Sequence, residues 1–402
     1  MKRFVATPFA LAALFVLALS PAFARGTYDP GASDTGIKIG TTWAFSGPGS
    51  VTAPLERQMA AYLRMVNEQG GVNGRKIDLI ALDDGYIPAK TVEDVRRLIE
   101  LDHVLFMYGQ LGTPTNIAVR PYLNAHRIPQ IFVTTGSNSL VNPKKYPWTM
   151  GFAASYALES RVFAKYLLAE HPNAKVGVLY QQDDFGSDHL DPFLAALGDK
   201  AKTMVVARES YGATDPNVTS QIISIHAAGA DTLYVMAQSR PAVQAVSAAR
   251  DQPGWNALIF MSYVATAKSV AGSLGSKLTG VMSIDSTKDP TDPGFADDPA
   301  VKDYLAWVKK YAPAQDQASD AAAPAGYLSA QVLIDVLKRC GDTLTRANVM
   351  KQATSIHDLS LPLLLPGIVL NTSPTRYFAL HAAVLKQYNG TRWVIVGKPI
   401  AE

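Results

Sequence analysis

The chain has very little cysteine: Cys340 is the only one in 402 residues. An intramolecular disulfide is therefore excluded, and with it any disulfide-stapled scaffold. The expected role of Cys340 is a small buried side chain on a helix rather than a reactive thiol. A strong charge of either sign is also missing. Thirty-seven Lys and Arg face 34 Asp and Glu, for a formal net charge of +3. With no basic stripe, the chain lacks the electrostatic footprint of a nucleic-acid-binding protein. Signatures of catalysis are absent too. There is no Gly-x-Ser-x-Gly elbow of the kind an α/β hydrolase needs. The seven histidines, at 103, 126, 171, 189, 226, 357 and 381, are scattered, and none forms a His-Glu-x-x-His pair. No phosphate loop occurs, and no Gly-x-Gly-x-x-Gly follows a strand. Asp83-Asp84 and Asp183-Asp184 could in principle hold a metal, but adjacent carboxylates at strand ends more often cap or face water. No catalytic residue, metal or cofactor is assigned.

Long apolar runs are confined to the N-terminus. Met1-Lys2-Arg3 is a positive start, Phe9 to Leu19 is almost wholly apolar, and Ala22-Phe23-Ala24 is a small-x-small cleavage site. This is the layout of a secretory signal peptide, residues 1–24. The run is short for a membrane anchor, which needs about 20 residues. Cutting behind Ala24 leaves 378 residues, too many for one comfortable core, so two domains are expected.

Residues 25–36, rich in Gly, Asp and Pro, read as a flexible mature N-terminus. A regular alternation then begins. Strands are predicted at Ile37–Phe45, Lys76–Asp83, His103–Tyr108 and Pro129–Thr134. Helices are predicted between and after them at Leu55–Gln69, Thr91–Leu101 and Asn116–His126. A second run follows. Its helices lie at Ser155–His171, Leu190–Gly198, Val218–Ala228 and Ala242–Arg250. Its strands lie at Lys175–Tyr180, Thr203–Glu209, Asp231–Met236 and Ala257–Met261. Strands alternating with helices of this length define an α/β chain with two doubly wound parallel-sheet lobes. The Pro- and Asp-rich segment 285–295 reads as a crossover. Helices near 298–311, 325–340 and 345–354, and strands near Arg376–Gln387 and Arg392–Val396, would complete the two lobes.

In open α/β sheets, ligands bind beyond the carboxyl ends of the strands. The loops there are unusual: Ser46-Gly47-Pro48-Gly49-Ser50, Gly109 to Thr115, and Thr134 to Ser139. Each combines glycine with hydroxyls ahead of a helix or turn. Glycine admits close approach to the backbone, and a helix N-terminus favours an anion such as a carboxylate. Ordinary turn chemistry gives the same residues, so the signal lies in three such loops at one sheet edge.

At these residues the chain resembles the type I periplasmic binding proteins of the branched-chain amino acid class, which serve ATP-driven (ABC) importers. The matching pieces run from Phe45-Ser46-Gly47-Pro48 through Asn67 to Arg75, Leu82-Asp83-Asp84 and the Thr113 loop. Ile128-Pro129, Thr135 to Asn138 and Asp184-Phe185-Gly186 follow. The resemblance implies two lobes joined by a three-strand hinge, 37–152 plus 286–360 and 153–285 plus 361–402, with solute between them. It also implies a periplasmic monomer that partners permease and ATPase subunits at the inner membrane. Family members hold the substrate carboxylate with a hydroxyl after strand three and N–H groups after strand four. Here those positions are Thr113 and Gly136, Ser137 and Asn138. They neutralise the ammonium with acids on the second lobe, where this chain has Tyr156 and Tyr263. An ammonium buried without an anion costs several kcal/mol, and tyrosines offer apolar surface with a hydroxyl. With Phe45, Ser46, Phe185 and Gln238 as further contacts, an organic acid, aromatic by the character of the cleft, is expected. The alternatives are a branched-chain or other amino acid or amide, a sensing role with a separate receptor, and, furthest away, a secreted hydrolase. A one-residue slip in register would return Glu159 to the site.

Overall fold

The computed structural model describes residues 26–312 and 324–401. The expected signal peptide lies outside them. The chain starts with β1 (Thr27–Tyr28), β2 (Gly36–Trp43), α1 (Ala53–Glu68), β3 (Lys76–Asp83), α2 (Pro88–Glu100), β4 (Met107–Tyr108), α3 (Thr113–Ala125), β5 (Gln130–Val133) and β6 (Thr149–Gly151). The first sheet has the order β3-β2-β4-β5-β6, with every pair parallel. Ile37 and Ile39 of β2 and Ile131 to Val133 of β5 are almost wholly buried, as expected for strands covered by helices on both faces.

The second run comprises α4 (Tyr156–Glu170), β7 (Val176–Gln181), α5 (Asp184–Leu197), α6 (Ala201–Met204), β8 (Val205–Tyr211), α7 (Thr219–Ala227), β9 (Thr232–Met236), α8 (Ser239–Arg250), β10 (Leu258–Met261), α9 (Lys268–Leu274) and β11 (Met282–Asp285). Next come α10 (Pro299–Tyr311), α11 (Pro324–Cys340), β12 (Thr343–Leu344), α12 (Arg346–Ala353), β13 (Ala382–Tyr388) and β14 (Trp393–Ala401). The second sheet runs β14-β13-β11-β10-β9-β7-β8; it is parallel except where β13 pairs antiparallel with β11 and β14. Helices α10 to α12 return to the first lobe. There Tyr304 bonds Gln58 at 2.9 Å, Tyr108 and Ser329 hydroxyls meet at 3.0 Å, and Arg346 Nε donates to Leu105 O at 2.9 Å.

The local signals act as expected at several ends. Ser155 caps α4 by accepting from Leu158 N at 3.0 Å. Pro88 and Pro114 sit in first turns, where a missing N–H costs nothing. Cys340 is buried in α11, and burial pushes its thiol up to about 12.

Three expectations need correction. The segment expected to be flexible is anchored over its described part. Thr27 N donates to Asp342 O at 2.9 Å, Asp29 N to Leu344 O at 3.2 Å, and Arg75 reaches the Tyr28 hydroxyl at 2.7 Å. Its Gly, Asp and Pro form tight turns rather than a loose leader. Second, residues 361–381 stay beside the first sheet, with Gly151 N donating to Tyr377 O at 3.0 Å and the Tyr377 hydroxyl to Pro147 O at 3.1 Å. The chain joins the second sheet at Ala382, not at 361 or 376. Third, the strand expected at His103–Tyr108 has a regular ladder only at Met107–Tyr108: His103 turns the chain at φ +52°, and Leu105 and Phe106 meet β2 only through single backbone bonds to Lys38 and Gly40. No helix among the described residues is long and apolar enough to cross a membrane.

Candidate functional site

A cavity of about 170 Å³ lies between the lobes. Its walls are the segments that follow β2, β3, β4, β5 and β6, with the start of α11, on one side and those that follow β9, β10 and β11 on the other; strand ends are where an open α/β sheet presents its ligands.

On the first-lobe side, Gly112 is the N-cap of α3 with φ +99°. A Cβ there would lie 2.7 Å from the Tyr86 ring, so only glycine fits. Thr113 opens the helix, and its Oγ1 is 2.7 Å from Thr135 Oγ1. Thr135 accepts from Ser137 N at 3.2 Å and donates to the Tyr156 hydroxyl oxygen at 3.2 Å. That order leaves the Tyr156 O–H to donate elsewhere, to the neighbouring Thr113 hydroxyl or into the cavity. The helix dipole of α3 adds positive potential at the same end.

On the second-lobe side, Tyr156 begins α4 and is nearly fully buried. His189 stacks on one face, with centroids 3.9 Å apart and planes at 22°, and Phe185 meets it edge-on at 5.2 Å. Tyr263 donates its hydroxyl to Ala154 O at 2.8 Å. Burial pushes the Tyr86, Tyr156 and Tyr263 phenols well above their ordinary value, so each stays a protonated donor at neutral pH. Gln238 Nε2 donates to the Tyr86 hydroxyl at 3.1 Å, a bond from second lobe to first.

The lining is mostly apolar, and Asp285 is its only charged side chain among the described residues. That charge is already taken. Lys386 Nζ lies 2.7 Å from Asp285 Oδ2, while Oδ1 accepts from Ser286 N and from Thr287 N and Oγ1. Glu159 is present, but behind the wall. It is fully buried and accepts from Ser262 Oγ at 3.0 Å and Tyr263 N at 2.9 Å, with His189 Nε2 at 3.1 Å.

Of the residues expected to contact a ligand, Thr113, Tyr156, Gln238 and Tyr263 line the cavity together. The others stand elsewhere. Phe45 and Ser46 give their N–H groups to Asp83 Oδ1 at 3.0 and 3.2 Å. Gly136 allows the close approach of the lobes, since a Cβ would lie 2.5 Å from Ala154 O and 2.7 Å from the Tyr156 ring. Ser137 donates to Asp188 on α5, Asn138 Oδ1 accepts from Ala157 N at 3.1 Å, and Phe185 backs Tyr156. Residues 136–138 thus bind α4 and α5, while Thr134 and Thr135 of the same loop line the cavity.

Among the cavity residues that the sequence did not single out are Thr135, which it places within the candidate loop Thr134 to Ser139, and Tyr86. Tyr86 holds φ +65°, an unfavourable setting for a bulky residue. Its backbone is held there by Asp84 Oδ1, which accepts Tyr86 N at 2.9 Å. The acidic pairs are spent on such caps: Asp183 accepts from Phe185 N at 2.9 Å and Gly186 N at 3.4 Å at the start of α5. Among the described residues no cluster of His, Cys, Asp or Glu could hold a metal ion.

Two α/β lobes meeting three chain crossings and enclosing an apolar cleft define a two-lobed binding protein. The periplasmic binding protein family model matches residues 36–397, and the chain belongs to that family. That family is extracytoplasmic. Among solved structures, the chain is similar to a branched chain amino acid ABC transporter protein from Thermus thermophilus with bound valine. The two share 16% identity over 92% of this chain and 97% of that one, with a TM-score of 0.82. It is similar also to a fatty acid ABC transporter substrate-binding protein from Thermomonospora curvata, at 22% identity, 94% and 95% coverage and a TM-score of 0.77. Leu/Ile/Val-binding protein homolog 3 of Brucella melitensis is 23% identical over 54% of this chain and 58% of its own. An amino acid binding protein of Pseudomonas aeruginosa is 25% identical over 42% of this chain and 45% of its own, so the chain matches about half the length of these two relatives.

Proposed function

We propose that this chain is the exported solute-binding component of an ABC importer, and that its solute is a small carboxylate without an ammonium group, aromatic in type. The observation that carries this is the lining of the cleft, whose one charged side chain among the described residues, Asp285, is already paired with Lys386. An ammonium enclosed there would lack a free counter-charge, at a cost of several kcal/mol. A carboxylate would meet the Tyr156 O–H, ordered by the Thr113–Thr135 hydroxyl pair behind it, and the N-terminus of α3. Size supports a single ring. The cavity measures about 170 Å³, and an apolar cavity of about 150 Å³ admits benzene.

Binding is by hinge closure of the lobes. The solute bridges the Thr113 side and the Tyr263 side, and its preference for the closed form drives the shift. The Gln238–Tyr86 bond belongs to that form. The N-terminal leader supports export, and the closed monomer would hand its solute to permease and ATPase subunits. Amino-acid binding is the second reading, favoured by the valine held by the Thermus relative; the fatty acid named for the Thermomonospora relative favours the first. Mass spectrometry of solute released from the natively exported protein separates them. An acid without an amine is expected; an α-amino acid would overturn the ligand assignment.

A further inference from the structure

We propose that Glu159 and His189 form a buried pair sharing one proton, which positions both tyrosines of the second-lobe wall and withholds the Glu159 charge from the ligand. The discrimination part rests on the cleft reading given above; the proton-sharing part does not.

Both side chains are fully buried, with His189 Nε2 3.1 Å from Glu159 Oε2. His189 Nδ1 lies 2.8 Å from Phe185 O. A carbonyl only accepts, so Nδ1 carries a hydrogen. On the other side, Glu159 receives Ser262 Oγ on Oε2 and Tyr263 N on Oε1. These donors make Glu159 the acceptor throughout. A bare Nε2 would then set its lone pair against the Glu159 carboxylate, and the single hydrogen of Ser262 Oγ, 3.0 Å from Oε2 and 3.1 Å from Nε2, can satisfy only one of the two. Nε2 therefore carries the second hydrogen, and the pair is an imidazolium on a carboxylate with no net charge. Ser262 Oγ, 3.1 Å from Nε2, sits beside this contact. The other titratable groups nearby are engaged: Asp188 bonds Ser137 and Ser139, and the Tyr234 hydroxyl lies 3.3 Å from Ser160 Oγ.

The same pair reaches both tyrosines. Glu159 holds the backbone of Tyr263 at the start of its turn. His189 holds the ring of Tyr156 by stacking. Ser160 Oγ donates to His189 O at 2.7 Å and so fixes α5 on α4. An ammonium in the cleft therefore meets rings backed by a neutral pair rather than a free carboxylate, and a ligand carboxylate is not repelled. Glu159 and His189 are positioning residues, since neither lines the cavity.

The test uses the full mature chain labelled with 15N-histidine. Long-range proton–nitrogen spectra at neutral pH should show both His189 ring nitrogens protonated. In Glu159→Gln the glutamine amide can donate to Nε2, so that nitrogen alone should lose its proton. A wild-type His189 with one protonated nitrogen would overturn the proposal. Calorimetry with 3-phenylpropionate gives the second arm. His189→Gln should weaken binding about tenfold by stranding the carboxylate and freeing Tyr156, and Glu159→Gln/His189→Gln should recover only the part due to the stranded carboxylate, since the stacking ring is still missing. Unchanged affinity in His189→Gln contradicts the positioning role. If His189→Gln does not fold, the spectra of wild type and Glu159→Gln decide. Failure of the wild type to bind 3-phenylpropionate would count against the ligand reading alone, and the spectra would still decide the pair.

Discussion

The first-lobe side of the cleft presents a helix terminus and a row of hydroxyls; the second-lobe side presents aromatic rings. The first wall is polar by backbone geometry: Gly112 turns the chain, α3 begins, and Thr113 and Thr135 join at 2.7 Å. The second wall has its polar groups turned inward. Glu159, His189 and Ser262 bond one another behind Tyr156 and Tyr263. An acid within a few residues of a site therefore says little about the charge a ligand meets. What matters is which donors have already claimed it.

Breaking the second wall should have the largest effect. Tyr156→Ala removes a buried ring and should cost about 3–5 kcal/mol of stability, as large aromatic truncations do. Thermal unfolding measures that loss, and calorimetry should find 3-phenylpropionate binding abolished; binding that survives would remove Tyr156 from the wall. The first wall should be less sensitive. Thr135→Val leaves Thr113, Ser137 N and Tyr156 without their shared partner, which should cost about 1–3 kcal/mol. It should weaken carboxylates more than their neutral amides, and equal loss for both would deny the first wall its polar role. The contact between the walls is weaker still. Gln238→Ala removes one bond to Tyr86, worth about 1 kcal/mol, and should raise the dissociation rate in stopped-flow measurements with little change in melting temperature.

The smallest expected effect is one of pH. Burial pushes the Asp188 carboxyl up, and the bonds from Ser137 and Ser139 only partly offset it. A carboxyl raised in the folded state binds its proton there more tightly than in the unfolded chain. Its stabilising contribution is thus fullest below the ordinary aspartate range and is lost as pH rises through the raised value. The melting temperature of the wild type minus that of Asp188→Asn should therefore increase as pH falls from 7 towards about 5. A difference that is flat or moves the other way would mean that Asp188 is not held against its charge at this junction of the lobes.

Much of the fold was legible because its strands are covered on both faces and read as apolar runs, such as Lys175–Tyr180 and Asp231–Met236. Short elements were not. Helix α9 has seven residues, too few to show a period, and the β1–β12 pair joins residues far apart in sequence. Cavity-lining positions were legible where a side chain closely follows a strand, as with Gln238 and Tyr263, or opens the next helix, as with Thr113. They were illegible where the role depends on the other lobe. Tyr86 acquires its place from Gln238, 152 positions away, and Thr135 from Thr113 and Tyr156. The loop at Gly136 to Asn138 has the composition of a ligand loop, yet its groups are taken by Tyr156, Ala157 and Asp188.

Among the described residues the cleft offers no free counter-charge to an ammonium, and one matched pair of ligands tests whether that governs binding. L-Phenylalanine and 3-phenylpropionate differ only by the amino group. Isothermal titration of the mature protein with each should show 3-phenylpropionate binding at least about 100-fold more tightly, the equivalent of about 3 kcal/mol for an unpaired buried charge. Equal or tighter binding of L-phenylalanine would contradict the account.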